Sequence, residues 1–175
     1  MELLSLANAL QGVRTLLSAY DGYERARFLD TDFAVREEVR RRTDMVTDHA
    51  SRIQDRAYDM GMKELAQELR RVKEALVVLS SDVQFSISSL PPAAHSQFTR
   101  MGRGQRRKLV NHDLYTLQML VKATNTCNEL LQNMNGSGSQ EDQCLTTARE
   151  LHDQIGRSRN HLRERNMFIE GLLKR

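Results

Sequence analysis

The most constraining feature of the chain is a regular apolar stripe between residues 63 and 90. Its six aliphatic members recur at alternating steps of four and three residues: Leu65, Leu69, Val72, Leu76, Leu79 and Val83. Two apolar positions in every seven form a narrow stripe along an α-helix, which is buried against helices that run alongside it. Pro91 ends the pattern, because the residue before a proline is disfavoured in the α region. The stripe therefore predicts a long helix over 63–90 that belongs to a helical bundle.

Four other segments carry helical periodicity, and they predict helices over 2–29, 32–60, 106–134 and 139–173. Between the first two, "LDTDF" (29–33) offers Asp30 or Thr31 as an N-cap. That stretch contains neither Gly nor Pro, so a single kinked helix from 2 to 60 is the alternative. The segment "NGSGSQ" (135–140) predicts a flexible loop before the last helix.

Composition agrees with an all-α chain of one domain. Of the 175 residues only two are proline and none is tryptophan, and the commonest residues are strong helix formers. A chain of this length suits a single domain. We therefore expect residues 1–175 to form one elongated antiparallel helical bundle, coiled-coil-like, with four to five long helices.

The two cysteines and the lack of a long apolar run predict where in the cell the protein is found. Cys127 and Cys144 both fall at apolar helical positions, which predicts buried free thiols rather than a disulfide. No run approaches the roughly 20 apolar residues that a bilayer span needs, and the first residues lack the pattern of a signal peptide. We therefore expect a cytoplasmic protein without a transmembrane segment.

Positive charge is concentrated in one segment of a chain whose formal net charge is only +3. The stretch "SQFTRMGRGQRRK" (96–108) contains five basic residues and no acid: Arg100, Arg103, Arg106, Arg107 and Lys108. It is not a nucleotide-binding P-loop, because Leu109 stands where that motif needs Ser or Thr. Residues 91–105 are predicted to be a basic linker into a helix whose positive end favours an anion. A solvated link between helices is the simpler interpretation.

Metal binding has weak support in the sequence. Asp44 and Asp48 lie four residues apart, on one face of a predicted helix, with His49 adjacent. This spacing resembles the acidic pairs of the PhoU-like metal-binding bundles, but Arg52 follows Asp48 by four residues, which indicates an ion-paired exposed face. The turn "ELHDQIG" (150–156) resembles the metal-binding turn of the HD-type phosphohydrolases, although no aspartate follows it. We therefore expect neither a metal nor another cofactor.

The sequence favours a binding protein over an enzyme, because no constellation of Ser, His and Asp or of Cys and His can be assembled from it. Our first hypothesis is a protein-interaction or assembly module that binds through the apolar stripes of its helices, here called seams. It would self-associate as a homo-oligomer or bind a protein partner. Arg42 and His49 are candidate interface residues because they interrupt an apolar seam. Arg159 and Arg163, on a basic C-terminal helix, are the others.

Two other functions stay open at this point. The first is binding to an anionic surface, either nucleic acid or an acidic membrane, through residues 100–108 and the C-terminal helix. The second is a metal-binding helical bundle, for which Asp44, Asp48 and His49 are the weak candidate ligands.

Overall fold

Five α-helices dominate the computed structural model, which describes residues 3–24, 27–84, 101–135 and 141–173. They are α1 (Leu6–Leu16), α2 (Phe28–Asp59), α3 (Lys63–Gln84), α4 (Arg103–Asn135) and α5 (Glu141–Leu173). No β-strand occurs in the described ranges, and none of these helices carries an apolar stretch long enough to cross a lipid bilayer. The predicted all-α helical bundle is therefore confirmed.

The four long helices form two antiparallel hairpins that pack side by side. One hairpin is α2 with α3, and the other is α4 with α5. Across the hairpins α3 packs on α5, where His152 Nδ1 lies 3.5 Å from Glu68 Oε1 and Arg159 Nε lies 2.6 Å from Asp82 Oδ2. From the first of these pairs to the second, the residue number rises on both helices, so α3 and α5 run parallel. Because each hairpin is antiparallel, α2 and α4 also run parallel to each other. The short helix α1 packs on α4.

The apolar stripe that predicted α3 is its buried face. All six members are at most 4% exposed, and they lie where α3 contacts α2 and α5. The helix α4 buries a wider face, which includes Leu114, Leu117, Leu120 and Leu130. This width follows from its position, because α4 contacts three other helices, namely α1, α2 and α5.

The first predicted helix, 2–29, is wrong in extent, and so is the alternative of one helix from 2 to 60. The helix α1 ends at Leu16, and residues 17–24 leave the helical path. Gly22 and Tyr23 both take positive φ angles, 66° and 60°, which a right-handed helix does not allow. This turn brings two tyrosines into the bundle, an arrangement that a continuous helix would prevent.

The other helix bounds agree closely with the sequence patterns. The helix α2 begins at Phe28, four residues before the predicted start at position 32, and ends one residue early. The predicted linker 91–105 is wrong at its end, because α4 already begins at Arg103. The predicted helical residues 85–90, the linker residues 91–100 and most of the loop 135–140 lie outside the described residues.

The predicted burial of both thiols is confirmed, because Cys127 and Cys144 have no exposed surface and neither forms a disulfide. Burial raises the pKa of the Cys127 thiol to about 12. We expect neither cysteine of the native protein to react with iodoacetamide at mildly alkaline pH, since alkylation needs an accessible thiolate. Both should react in guanidinium chloride, and intact-mass spectrometry counts the labels. A rapid label on the native protein would contradict this prediction.

Two glycines with positive φ provide a matched test of the turn after α1. A Cβ added to Gly22 would lie 2.2 Å from Leu10 Cδ2, whereas a Cβ on Gly61 would meet nothing within 4 Å. Both alanine substitutions place an L-residue in the left-handed region, but only Gly22→Ala also adds this clash. We expect Gly22→Ala to lower the free energy of unfolding by roughly 1–2 kcal/mol more than Gly61→Ala. Equal losses in urea denaturation would show that the turn does not pack on α1.

Candidate metal centre

A buried arginine joins four parts of the chain at one end of the bundle. Arg165 of α5 has no exposed surface. Its Nε donates to Asp113 Oδ1 of α4 at 2.5 Å. Its Nη2 donates to Asp32 Oδ1 of α2 and to the Tyr23 hydroxyl of the α1–α2 turn, both at 2.6 Å. Burying such a charge is costly unless it is paired and hydrogen-bonded, and here both conditions are met.

The remaining oxygens of the two aspartates are also satisfied. The Tyr20 hydroxyl donates to Asp113 Oδ2 at 2.6 Å, and Arg36 Nη2 donates to Asp32 Oδ2 at 2.5 Å. Two arginines therefore balance two aspartates. Burial opposes the charge on Arg165, but its contacts with Tyr23 and the carboxylates raise its pKa well above the ordinary value. The network is thus a closed set of charge-assisted hydrogen bonds.

A second cluster lies directly beside this network. His112 and Glu164 precede Asp113 and Arg165 in sequence, and neighbouring helical residues point about 100° apart. His112 Nδ1 lies 3.7 Å from Glu164 Oε2, and His161 Nδ1 lies 4.0 Å from the same oxygen. Within the part of the chain that the structure describes, no other set of three His, Cys, Asp or Glu residues has potential metal-ligand atoms this close together.

Both imidazoles of this cluster have nitrogen atoms without hydrogen-bond partners. His112 is 2% exposed, yet neither of its ring nitrogens has a partner, and His161 Nδ1 also lacks one. A buried polar atom left in this state costs about 1–3 kcal/mol. Burial lowers the pKa of His112 to about 4 and also lowers the pKa of His161. Both rings are therefore neutral at neutral pH, which is the protonation state that ligates a metal ion.

An aromatic ring lies beside each of the two imidazoles. The Tyr115 ring stacks on His161 with centroids 5.5 Å apart and planes inclined by 28°. The Phe168 ring lies 6.5 Å from the His112 ring, centroid to centroid. A tetrahedral zinc ion with bonds of about 2.0–2.1 Å holds its ligand atoms about 3.3 Å apart. The three ligand atoms here lie within 4.8 Å of one another, so small side-chain shifts would close the site.

A cleft of about 540 Å³ opens beside the cluster. Its lining comprises Leu3, Lys108, His112, Glu164, Met167 and Phe168. Lys108 Nζ stands 5.0 Å from the centroid of the Phe168 ring. The cleft therefore combines apolar walls, one cation and two of the three clustered potential ligands.

Two of the predicted anion-binding residues, Arg106 and Arg107, bind the backbone of the N-terminal segment. Arg106 Nε donates to the Gly22 carbonyl at 2.5 Å, and Arg107 Nε donates to the Leu4 carbonyl at 2.7 Å. These bonds fix the chain before and after α1 against the start of α4. Anion binding by these two residues stays a prediction, but it would compete with bonds already made.

The other members of the basic segment are not gathered into one site. Arg103 is exposed at the first position of α4, and Lys108 stands over the Phe168 ring. Arg100 lies outside the described residues. Of the four basic residues of this segment that the structure describes, only Lys108 borders the cleft beside the clustered histidines.

Two of the four candidate interface residues are paired within the bundle. Arg42 Nε donates to Glu38 Oε1 at 2.6 Å, and Arg159 Nε donates to Asp82 Oδ2 at the same distance. Arg163 is exposed on α5. Arg42 therefore interrupts the seam of α2 because it meets a buried glutamate of its own helix, and this explains its position without a partner protein.

The weak metal candidates of α2 are not brought together as a site. Asp44 Oδ2 lies 3.7 Å from Arg40 Nη1, Asp48 is exposed, and His49 is half-buried. None of the three belongs to the metal-competent cluster found among the described residues. The sequence search missed that cluster because its motif runs His161-x-x-Glu164, the reverse of the Glu-x-x-His order, and because His112 comes from another helix.

The described residues form a four-helix bundle, with one short additional helix at the N-terminal side. Comparison of the chain with protein-family models, with curated proteins and with solved structures finds no match. The function is therefore inferred from the site geometry of this chain itself.

The buried arginine gives a direct stability prediction. We expect Arg165→Met to lower the free energy of unfolding by about 3–5 kcal/mol, because it leaves the buried Asp113 carboxylate without a counter-ion and leaves Asp32 with Arg36 alone. The exposed Arg163→Met on the same helix is the control, with a change within about 0.5 kcal/mol. Urea denaturation followed by circular dichroism measures both. Adding Asp113→Asn to Arg165→Met should recover part of the loss, and no recovery would contradict the pairing.

Proposed function

We propose that this protein binds one divalent transition-metal ion, with zinc as the best fit, through His112, His161 and Glu164. A metal-binding bundle was the least favoured of the functions considered from the sequence, and its candidate ligands were different residues. The single observation that supports it now is the position of His112. This imidazole is buried and lacks hydrogen-bond partners, and it faces a carboxylate and a second imidazole from α5.

The donor set selects among metals. Two imidazoles and one carboxylate suit Zn²⁺ and neighbouring transition ions, whereas Mg²⁺ and Ca²⁺ prefer oxygen ligands throughout. Three protein ligands leave a tetrahedral ion with one further position for water or another ligand. The His112 side chain is 3% exposed and that of Glu164 is 53% exposed, so the ion would sit between the core and the surface of the α4–α5 pair.

The other functions considered from the sequence have less support from the contacts of the described residues. Self-association was expected from long apolar seams, but the α3 seam is buried within the chain's own bundle. Arg42 and Arg159 have partners inside the protein. Self-association, binding to an anionic surface and the absence of catalysis stay predictions, and no contact of the described residues specifically favours them.

Zinc titration tests the proposal. We expect the chelator-treated protein to bind one Zn²⁺ per chain in competition with a chromophoric chelator, and bound zinc to raise the melting temperature because it binds the folded state. His161→Gln and Glu164→Gln should each weaken zinc binding by more than about tenfold, since even the loss of an outer partner of a metal site typically causes that much.

His152→Gln is the matched control for this titration. His152 lies on the same helix, is 42% exposed, and has Glu68 as its neighbouring acid, so its loss should leave zinc affinity unchanged. Equal zinc affinity in the wild type and in the His161 and Glu164 variants would overturn the proposal. A wild-type protein that takes up no zinc would overturn it as well.

A further inference from the structure

The cleft beside the proposed metal ion suggests what occupies its remaining coordination position. This inference rests on the proposed metal site and adds a ligand class to it. We infer that the cleft takes a small amphiphilic carboxylic acid, whose carboxylate binds the metal ion and whose apolar part lies on Leu3, Met167 and Phe168.

Charge is the first support for this ligand class. A divalent ion bound to two neutral imidazoles and the Glu164 carboxylate keeps one net positive charge. Lys108 contributes a second cation to the same cleft, and it lies one helical turn before His112 on α4. Two positive charges at a partly enclosed surface attract an anion. The open metal position favours a small oxygen ligand, and a carboxylate meets both requirements.

The walls of the cleft are the second support. Three of its six lining residues are apolar, namely Leu3, Met167 and Phe168. Met167 is 60% exposed, so a ligand that covered it would remove apolar surface from water at about 25 cal/mol per Å². A cleft of about 540 Å³ falls in the size range of small-molecule sites. An inorganic anion would leave these walls uncovered, whereas a short aliphatic acid would contact them.

The fixed position of the cleft is the third support. The backbone of Leu4 exchanges hydrogen bonds with the Asn111 side chain, at 2.9 Å for its N–H and 3.2 Å for its carbonyl. Leu3 is therefore held against α4 by its neighbour. Phe168 contacts both the His112 ring and Lys108. Leu3, Phe168 and Lys108 thus have positions set by contacts within the protein before any ligand arrives, which lowers the entropic cost of binding.

Cobalt substitution tests this inference. The protein is loaded with Co²⁺, whose visible absorption reports its coordination, and is titrated with hexanoate, acetate and hexan-1-ol. We expect hexanoate to change the cobalt spectrum in a saturable way and to bind at least tenfold more tightly than acetate. Hexan-1-ol, which has the apolar part but no charge, should leave the spectrum unchanged.

Two lysine substitutions on α4 provide a test variant and its control. Lys108→Met should weaken hexanoate binding about tenfold, the effect of 1.4 kcal/mol, while Co²⁺ affinity stays unchanged. Lys122→Met, an exposed position further along α4, should alter neither. Cobalt that binds without responding to hexanoate would overturn the inference and leave the metal site standing. Acetate binding as tightly as hexanoate, or Lys108→Met binding hexanoate as well as wild type, would overturn it too. If the protein binds no cobalt, the proposed metal site itself is contradicted.

Discussion

The buried charge of Arg165 is the constraint on which the arrangement of this bundle depends. An unpaired guanidinium inside a protein is strongly unfavourable, so the helices must bring carboxylates to it. Asp113 and Asp32 come from two different helices, and Tyr23 comes from the turn before α2. One side chain thereby fixes the rotation of α2, α4 and α5 relative to one another. It also explains why the first helix ends early, because the turn must deliver its tyrosine.

The same constraint positions the proposed metal ligands. Once Asp113 and Arg165 meet, the preceding residues His112 and Glu164 are brought together on the adjacent face of the α4–α5 pair. The third ligand, His161, lies one turn away from Glu164 and needs no further long-range contact. The proposed centre would therefore be formed by the register of a single antiparallel helix pair, and the buried ion pair holds that register.

Sequence patterns predicted the elements better than their contacts. The stripe from Leu65 to Val83 identified α3 and its buried face, and the apolar setting of Cys127 and Cys144 identified buried thiols. Polar residues were harder to interpret. In the sequence, Arg165 is one polar residue among the apolar positions of the last helix, and His112 stands in an ordinary His-Asp dipeptide. A buried polar residue and an exposed one look alike in a sequence until the partner from another helix is known.

The sequence by itself determined the all-α class, the four long helices α2 to α5 and the face of each helix that is buried. These properties follow from local propensity and from the 3.6-residue period, which depend on residues near one another in the chain. Only the tertiary structure decided that Arg165 pairs with Asp113 and Asp32, and that His112 meets His161 and Glu164. Periodicity fixes which face of a helix is apolar but not which helix it meets or in what register. Those choices depend on the energy of burying charges from distant segments together.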